Sequence, residues 1–304
     1  MLLAWEIGGG AVAALVVGIL VYALGSFAMM ALASERRAFG MTLREIAREV
    51  WLAIVTQPFL LLYYVLGRRM DPVLLRGSRQ RRPDAVPVVF VHGYMQNRVG
   101  FVGLARALAR QGFGPLYGIN YPWFLSITAN AQRLERFVAK VCAETKAPMV
   151  DLVCHSMGGL VAMEMLHGEA SSSTLKVRKC VTIATPHAGV SWRGPMIGFG
   201  ASMLRKGSKL LTAQAGYKVA IPTLSLYSTH DNIVFPMTTS QLATRGGKDV
   251  AIEGLGHLSL LFSPVVAENV ASFLAEPAAP AVIVPPDGAR SHVLDLPAHE
   301  PCGR

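Results

Sequence analysis

Charge is scarce in this chain. Of its 304 residues only 16% are Asp, Glu, Lys or Arg, whereas 52% are hydrophobic and the mean hydropathy is +0.39. Soluble domains run at about a quarter charged, and disorder requires low hydrophobicity with high charge, so disorder along the whole chain is excluded. Cysteine is sparse as well. Cys142, Cys154, Cys180 and Cys302 show no paired spacing, which argues against a disulfide framework or a cysteine-built metal site. Cys154 and Cys180 fall in apolar, strand-like runs, where a buried thiol is the ordinary reading. Acidic residues number 19 against 29 Lys and Arg, a net charge of +10. No nucleic-acid-binding module or interleaved aromatic stripe accompanies that excess, so nucleic acid is not the expected partner. Internal repeats are also lacking. The length allows one or two domains with a sizeable core.

The apolarity is local. Ile7 to Ala33 is a run of 27 residues without a charge, and about 20 apolar residues cross a hydrocarbon core of about 30 Å. The run predicts a retained N-terminal transmembrane helix. A buried core helix would be shorter. A cleaved signal peptide is the better rival, because Ala31-Leu32-Ala33 resembles a cleavage site. Against it stand Glu6, where a basic segment is expected, and the excess length of the run. A second uncharged run, Val50 to Gly67, has 18 residues with Gln57-Pro58 at its middle. It fits a second span, a proline-broken interfacial segment or a helix packed on the body.

The positive charge is local too. Between Ser34 and Arg82 lie ten arginines against Glu35, Glu45, Glu49 and Asp71. Arginines beside a membrane segment are drawn to anionic lipid and stay on the cytoplasmic side. The expected partner of the 34–82 region is therefore an anionic lipid surface. One span followed by a cytosolic body fits the charges better than two spans, which would export the basic 68–82 stretch. The expected location is a bacterial inner membrane, single-pass, with the body cytoplasmic; a periplasmic or secreted body after signal cleavage is the alternative.

After a Pro83–Pro87 linker the pattern changes. Short β-branched runs at 86–93, 114–121, 149–156, 176–185, 221–228 and 248–254 alternate with helical stretches near 100–111, 127–146, 157–168 and 260–275. In 127–146 Ala131, Leu134, Val138 and Val141 mark one apolar face of an amphipathic helix. Continuously apolar strands such as VPVVFV suit a sheet covered on both faces. The pattern predicts an α/β fold with a mainly parallel sheet flanked by helices. Three regions follow: a membrane-anchoring segment at 1–83, a catalytic domain at 84–275, and a Pro- and Ala-rich tail at 276–304.

The chemistry concentrates in VDLVCHSMGGLVAMEML, residues 150–166. An apolar strand runs straight into a helix, with Ser156 at the junction and Gly158-Gly159 behind it. Such a turn projects a serine hydroxyl at the carboxyl edge of the sheet, and small flanking residues let strand and helix pass closely. The first Gly of G-x-S-x-G is here Cys154. The bland reading is a serine capping a strand-to-helix turn. A nucleophile needs an acid and a base following in the order Ser, Asp, His. Asp231 ends a strand in LYSTHDNIV, and His257 sits on a Gly-flanked loop in IEGLGHLSLL. Glu164 and Glu169 lie on or just past the helix after Ser156, and Glu253 is the second choice of acid. The backbone N–H groups of Met157 and of Tyr94, in VFVHGYMQN, are the expected oxyanion donors. His92, Gly93, His155 and Gly158 are expected to support this site, and His187 and His230 to pack or support.

These five segments, VPVVFVHGYMQN, VDLVCHSMGGL, TIATPHAGV, LYSTHDNIV and GLGHLSLL, together resemble the motif series of bacterial α/β-hydrolase lipases, notably the small Bacillus-type lipases. The resemblance covers about residues 86–275. It implies an α/β-hydrolase fold and cofactor-independent, metal-free ester hydrolysis on a lipid or acyl-ester substrate, with Ser156, Asp231 and His257 as triad. Acyl transfer or thioester cleavage by the same triad is the alternative, and a non-catalytic membrane adaptor with a hydrolase shell a further one. The N-terminus lies outside the resemblance. The 188–220 stretch, with Trp192, Met196, Ile197, Phe199, Met203 and Leu204, is longer than a lidless lipase needs; it reads equally as an acyl-admitting cap or as ordinary packing.

Overall fold

The computed structural model describes residues 2–33, 43–56, 68–70, 85–169, 176–191, 196 and 198–277, with side chains of the first helix described continuously over 16–32. Six strands form one parallel sheet: β1 (Val88–Val91), β2 (Leu116–Ile119), β3 (Val150–His155), β4 (Val177–Ile183), β5 (Thr223–Ser228) and β6 (Lys248–Ile252), in the order β2-β1-β3-β4-β5-β6. Each falls inside a strand expected from the sequence. Every pairing is parallel, with Val91 opposite Cys154 and Cys154 opposite Thr182. At the β2 edge Arg69 adds an antiparallel bridge to Tyr117, with Met70 N–H donating to Leu116 O at 2.8 Å.

The helices are α1 (Leu2–Ala33), α2 (Leu43–Thr56), α3 (Val102–Arg110), α4 (Ile127–Thr145), α5 (Met157–Glu169), the short α6 (Phe199–Met203) and α7 (Lys209–Gln214), and α8 (Pro264–Ala275). Successive strand residues point to opposite faces, and this divides the core. Val89, Val91, Leu152, Cys154 and Cys180 pack against Leu134, Val138 and Val141 of α4 and Leu160 and Val161 of α5. Val88, Phe90, Val153, Val181 and Ile183 face the other way, against Leu104 and Leu108 of α3 and Val266 and Val270 of α8. The continuous apolarity of the strands is thus the signature of a sheet dry on both sides. Cys154 and Cys180 are fully buried free thiols.

The N-terminal expectation needs correction. Among the described residues no helix is long and apolar enough to cross a membrane, so the transmembrane helix expected over 7–33 lacks structural support. The physical reason lies in packing. Ala23, Ser26, Phe27 and Met30 recur at helical spacing as one buried stripe of α1, and Phe27 and Met30 belong to the same core cluster as the buried residues of α4 and α5. The opposite face keeps Val17, Val21, Leu24 and Leu32 more than half exposed. The second apolar run begins on α2, where Ala53 is buried and Trp51 exposed; its remainder, 57–67, lies outside the described residues. So do the Pro83–Asp84 boundary, Trp192 and Ile197, the 278–304 tail and, of the ten arginines, all but Arg44, Arg48, Arg68 and Arg69.

Candidate active site

Ser156 stands between β3 and α5 at φ +54, the left-handed region that non-glycine residues seldom occupy. Its backbone is fastened on both sides. The N–H donates to Ile183 O at 2.8 Å, while the carbonyl accepts from Gly159 N at 3.0 Å and from Thr185 Oγ1 at 3.0 Å. The strain is over-determined by these bonds, as strained functional residues require. Gly158 is there for close approach: a Cβ would lie 2.2 Å from Val91 O and 2.5 Å from His92 O. Strand β1 and helix α5 therefore meet with only hydrogen between them. A Cβ on Gly93 would lie 2.9 Å from Ser156 Cβ, so the loop after β1 passes directly over the serine.

That loop is shaped by His92. Its Nδ1 lies 2.9 Å from Gly93 O, its Nε2 accepts from Tyr121 N at 3.2 Å, and its ring stacks on Tyr121 at 4.1 Å. Burial holds His92 down to about 4, so it is a neutral Nδ1–H tautomer and no base. Gly93 N–H donates to Gln96 Oε1 at 3.2 Å, and the same oxygen lies 2.9 Å from Nδ1 of His155. Met157 is the first residue of α5, where backbone N–H groups have no intrahelical partner. Tyr94 packs edge-on against Trp123 at 5.0 Å, and Trp123 against Phe124 at 5.7 Å. Phe199 N–H donates to Phe124 O, which brings α6 beside this aromatic row. The 188–220 stretch divides there: Ala201, Leu204 and Leu211 are core, whereas Phe199 is 77% exposed.

Asp231 and His257 meet across the loops after β5 and β6. His257 Nδ1 lies 2.9 Å from Asp231 Oδ2 and 3.1 Å from Oδ1. Asp231 Oδ1 also accepts from Ile233 N at 2.8 Å and Val234 N at 2.7 Å, which aims the carboxylate. Burial alone would lower His257, but the charge and hydrogen bond of Asp231, joined by the charge of Glu49, hold it above the ordinary imidazole value. His155 spans the two halves: its Nε2 lies 3.2 Å from His257 O and its ring 4.6 Å from the His257 ring. Burial and the neighbouring His257 keep it neutral, well below the usual range.

A model of the alpha/beta hydrolase family matches residues 88–221. The chain has the α/β-hydrolase fold. Among solved structures, a lipase from Bacillus licheniformis in its mature form is 16% identical with a TM-score of 0.55, over 65% of this chain and 94% of that one. Lipase B from Aspergillus fumigatus is 16% identical with a TM-score of 0.54, over 71% of this chain and 59% of its own. Identities this low establish the fold. The matched segment contains Ser156 and stops before Asp231 and His257.

The other acids are engaged elsewhere. Glu164 accepts from Thr128 Oγ1 and Gln214 Nε2, Asp249 from the N–H groups of Leu242 and Ala243, and Glu253 is exposed. His187 lies 3.1 Å from Thr182 Oγ1 and is held by burial to about 3. His230 accepts from Gly254 N at 3.2 Å. Sequence reasoning missed Asn232, Ser26 and Glu49. Asn232 Oδ1 accepts from His257 N at 3.0 Å, and its Nδ2 donates to Ser26 Oγ of α1 at 2.6 Å. Glu49 of α2 accepts from Leu258 N at 2.6 Å, Ser259 N at 2.9 Å and Ser259 Oγ at 2.5 Å. A serine inside an apolar helix and a glutamate beside an apolar run were the only signals.

Proposed function

We propose that this chain is a serine ester hydrolase for acyl esters, working at a membrane face. The observation that carries the reading is the Asp231–His257 contact at 2.9 Å, with the His257 ring 4.6 Å from that of His155, the residue directly before the strained Ser156. With Nδ1 bound to Asp231, Nε2 is the ring nitrogen left to accept a proton. Ser156 Oγ attacks the ester carbonyl as His257 takes its proton, and Asp231 steadies the imidazolium. The N–H groups of Met157 and Tyr94 receive the developing oxyanion. His257 then returns the proton to the leaving alcohol, and water activated by the same imidazole releases the acyl group. Acyl transfer and thioester cleavage use the same steps with another acceptor or leaving group, and fold does not separate them.

The aromatic row of Tyr94, Trp123 and Phe124, with Phe199 beside it, favours an apolar acyl group. Membrane attachment draws support from the exposed Val17, Val21, Leu24 and Leu32 of α1 and Leu43 and Trp51 of α2, and from the arginines near them in sequence. Exposed apolar area of this kind marks interaction surfaces. Fluorophosphonate labelling tests the chemistry: Ser156→Ala is expected to abolish it, and undiminished labelling sinks the triad. A series of p-nitrophenyl esters then reads acyl length, and product analysis with competing alcohols separates hydrolase from transferase. Release of the protein by a high-salt wash would reject apolar attachment.

A further inference from the structure

We infer that Glu49 of α2 is a positioning residue of the active site, which sets the loop that carries His257 from outside the segment matched to the family. The inference rests on the triad proposed above. Glu49 is 2% exposed, and its two oxygens take three donors from Leu258 and Ser259, the residues directly after the base. Three donors and no acceptor around the carboxyl call for the ionised, acceptor-only form, although burial raises its pKa. The loop is built to receive it. A Cβ on Gly256 would lie 2.4 Å from Glu49 Cδ, and one on Gly254 would lie 2.4 Å from Glu45 Oε1. The two glycines that flank Leu255 before His257 thus seat two carboxylates of α2. Arg48, on the same helix, donates to Gly254 O at 2.8 Å.

Nothing else in the site needs a charge here. Asp231 already binds Nδ1, and Asn232 already receives the His257 N–H. A neutral side chain would satisfy part of the loop, so the carboxylate adds two things: a third hydrogen bond and a negative charge facing the imidazole. The charged or titratable groups around that imidazole are Asp231 from the loop after β5, His155 from the end of β3 and Glu49 from α2. Around the loop itself stand Glu45 and Arg48 of α2. Glu49 touches no reacting atom; it acts through His257.

The test compares Glu49→Gln and Glu49→Ala with the full-length parent. Glu49→Ala is expected to lower kcat by about 10- to 100-fold, the usual effect of a base displaced by about 1 Å, with KM within about twofold. Glu49→Gln keeps the shape and loses the charge. Its plateau kcat should recover most of the loss, while the acid limb of kcat/KM moves to lower pH, because the imidazole no longer faces that carboxylate. A folded Glu49→Ala with parental kcat and an unmoved limb overturns the inference, as does a variant that loses only thermal stability. If Glu49→Ala does not fold, Glu49→Gln decides: a limb left in place overturns the inference. Ser156→Ala, run in parallel, separates the two readings. Its inactivity beside an unaffected Glu49→Ala rejects the role of Glu49 alone, whereas its full activity rejects the triad and this role together.

Discussion

The two halves of the site are held in opposite ways. Ser156 is held by backbone: Gly158 lies against the carbonyls of β1, and Thr185 and Ile183 fasten its peptide groups. Asp231 and His257 are held by side chains that arrive from far away in the chain, Glu49 and, through Asn232, Ser26. The first arrangement is rigid because the sheet is rigid, and a methyl group is enough to break it. The second is as deeply buried, yet it depends on two N-terminal helices staying docked. A catalytic geometry can therefore be half intrinsic to the fold and half imported.

After loss of Ser156 itself, the most damaging change is predicted in the imported half. Asp231→Asn leaves a carboxamide that cannot steady an imidazolium, and kcat should fall by about 10⁴-fold with thermal stability lowered far less. Steady-state kinetics beside a melting curve checks it, and an intact kcat would remove Asp231 from the mechanism. Acid should then separate the halves. His92 and His187, both serving the backbone-held half, sit at about 4 and about 3 because burial disfavours the imidazolium. The unfolded chain takes up their protons first. The stability they confer is complete above the ordinary imidazole value and drains away as pH falls toward 4 and 3, at about 1.4 kcal/mol per pH unit for each. His257 has the opposite sign: it is raised, so its contribution is present below the ordinary value and is lost as pH rises through the folded one. Urea unfolding at pH 7 and pH 5 should show the protein weaker in acid, and equal midpoints would contradict the assignment of neutral His92 and His187.

Two smaller effects sharpen the contrast. Gly158→Ala drives a Cβ into two carbonyl oxygens of β1 and should cost about 3 kcal/mol of overpacking, read as a fall in the unfolding midpoint together with lost labelling of Ser156. Ser26→Ala leaves Asn232 Nδ2 without its buried acceptor. About 1 kcal/mol is expected, with a modest fall in kcat because Asn232 holds the His257 amide. If Ser26→Ala proved as harmful as Gly158→Ala, the N-terminal helices would be as integral as the sheet.

The contrast also explains what could be read in advance. All six strands, the long helices of the body and the Ser156 turn were legible, because parallel strands and close glycine packing leave local patterns. Asp231 and His257 were legible only through their order at strand ends. Glu49 was invisible for a physical reason: a side chain that reaches 209 positions along the chain leaves no local periodicity. In the sequence it stands only as one of four acids among arginines. The 7–33 run misled for a related cause. Uncharged length reports affinity for a dry environment, and the buried stripe of α1 finds part of that environment in the protein's own core.

The docking of α2 under the GLGH loop has a practical meaning for how such a protein can be handled. Cutting the chain back to the recognisable α/β body, to obtain a better-behaved enzyme, would keep the sheet, the serine and the aromatic row. It would also strip three acceptor contacts from Leu258 and Ser259 and the hydroxyl that Asn232 relies on. The truncated protein would be a folded scaffold with a slack base, so a missing activity in it would say nothing about the intact chain.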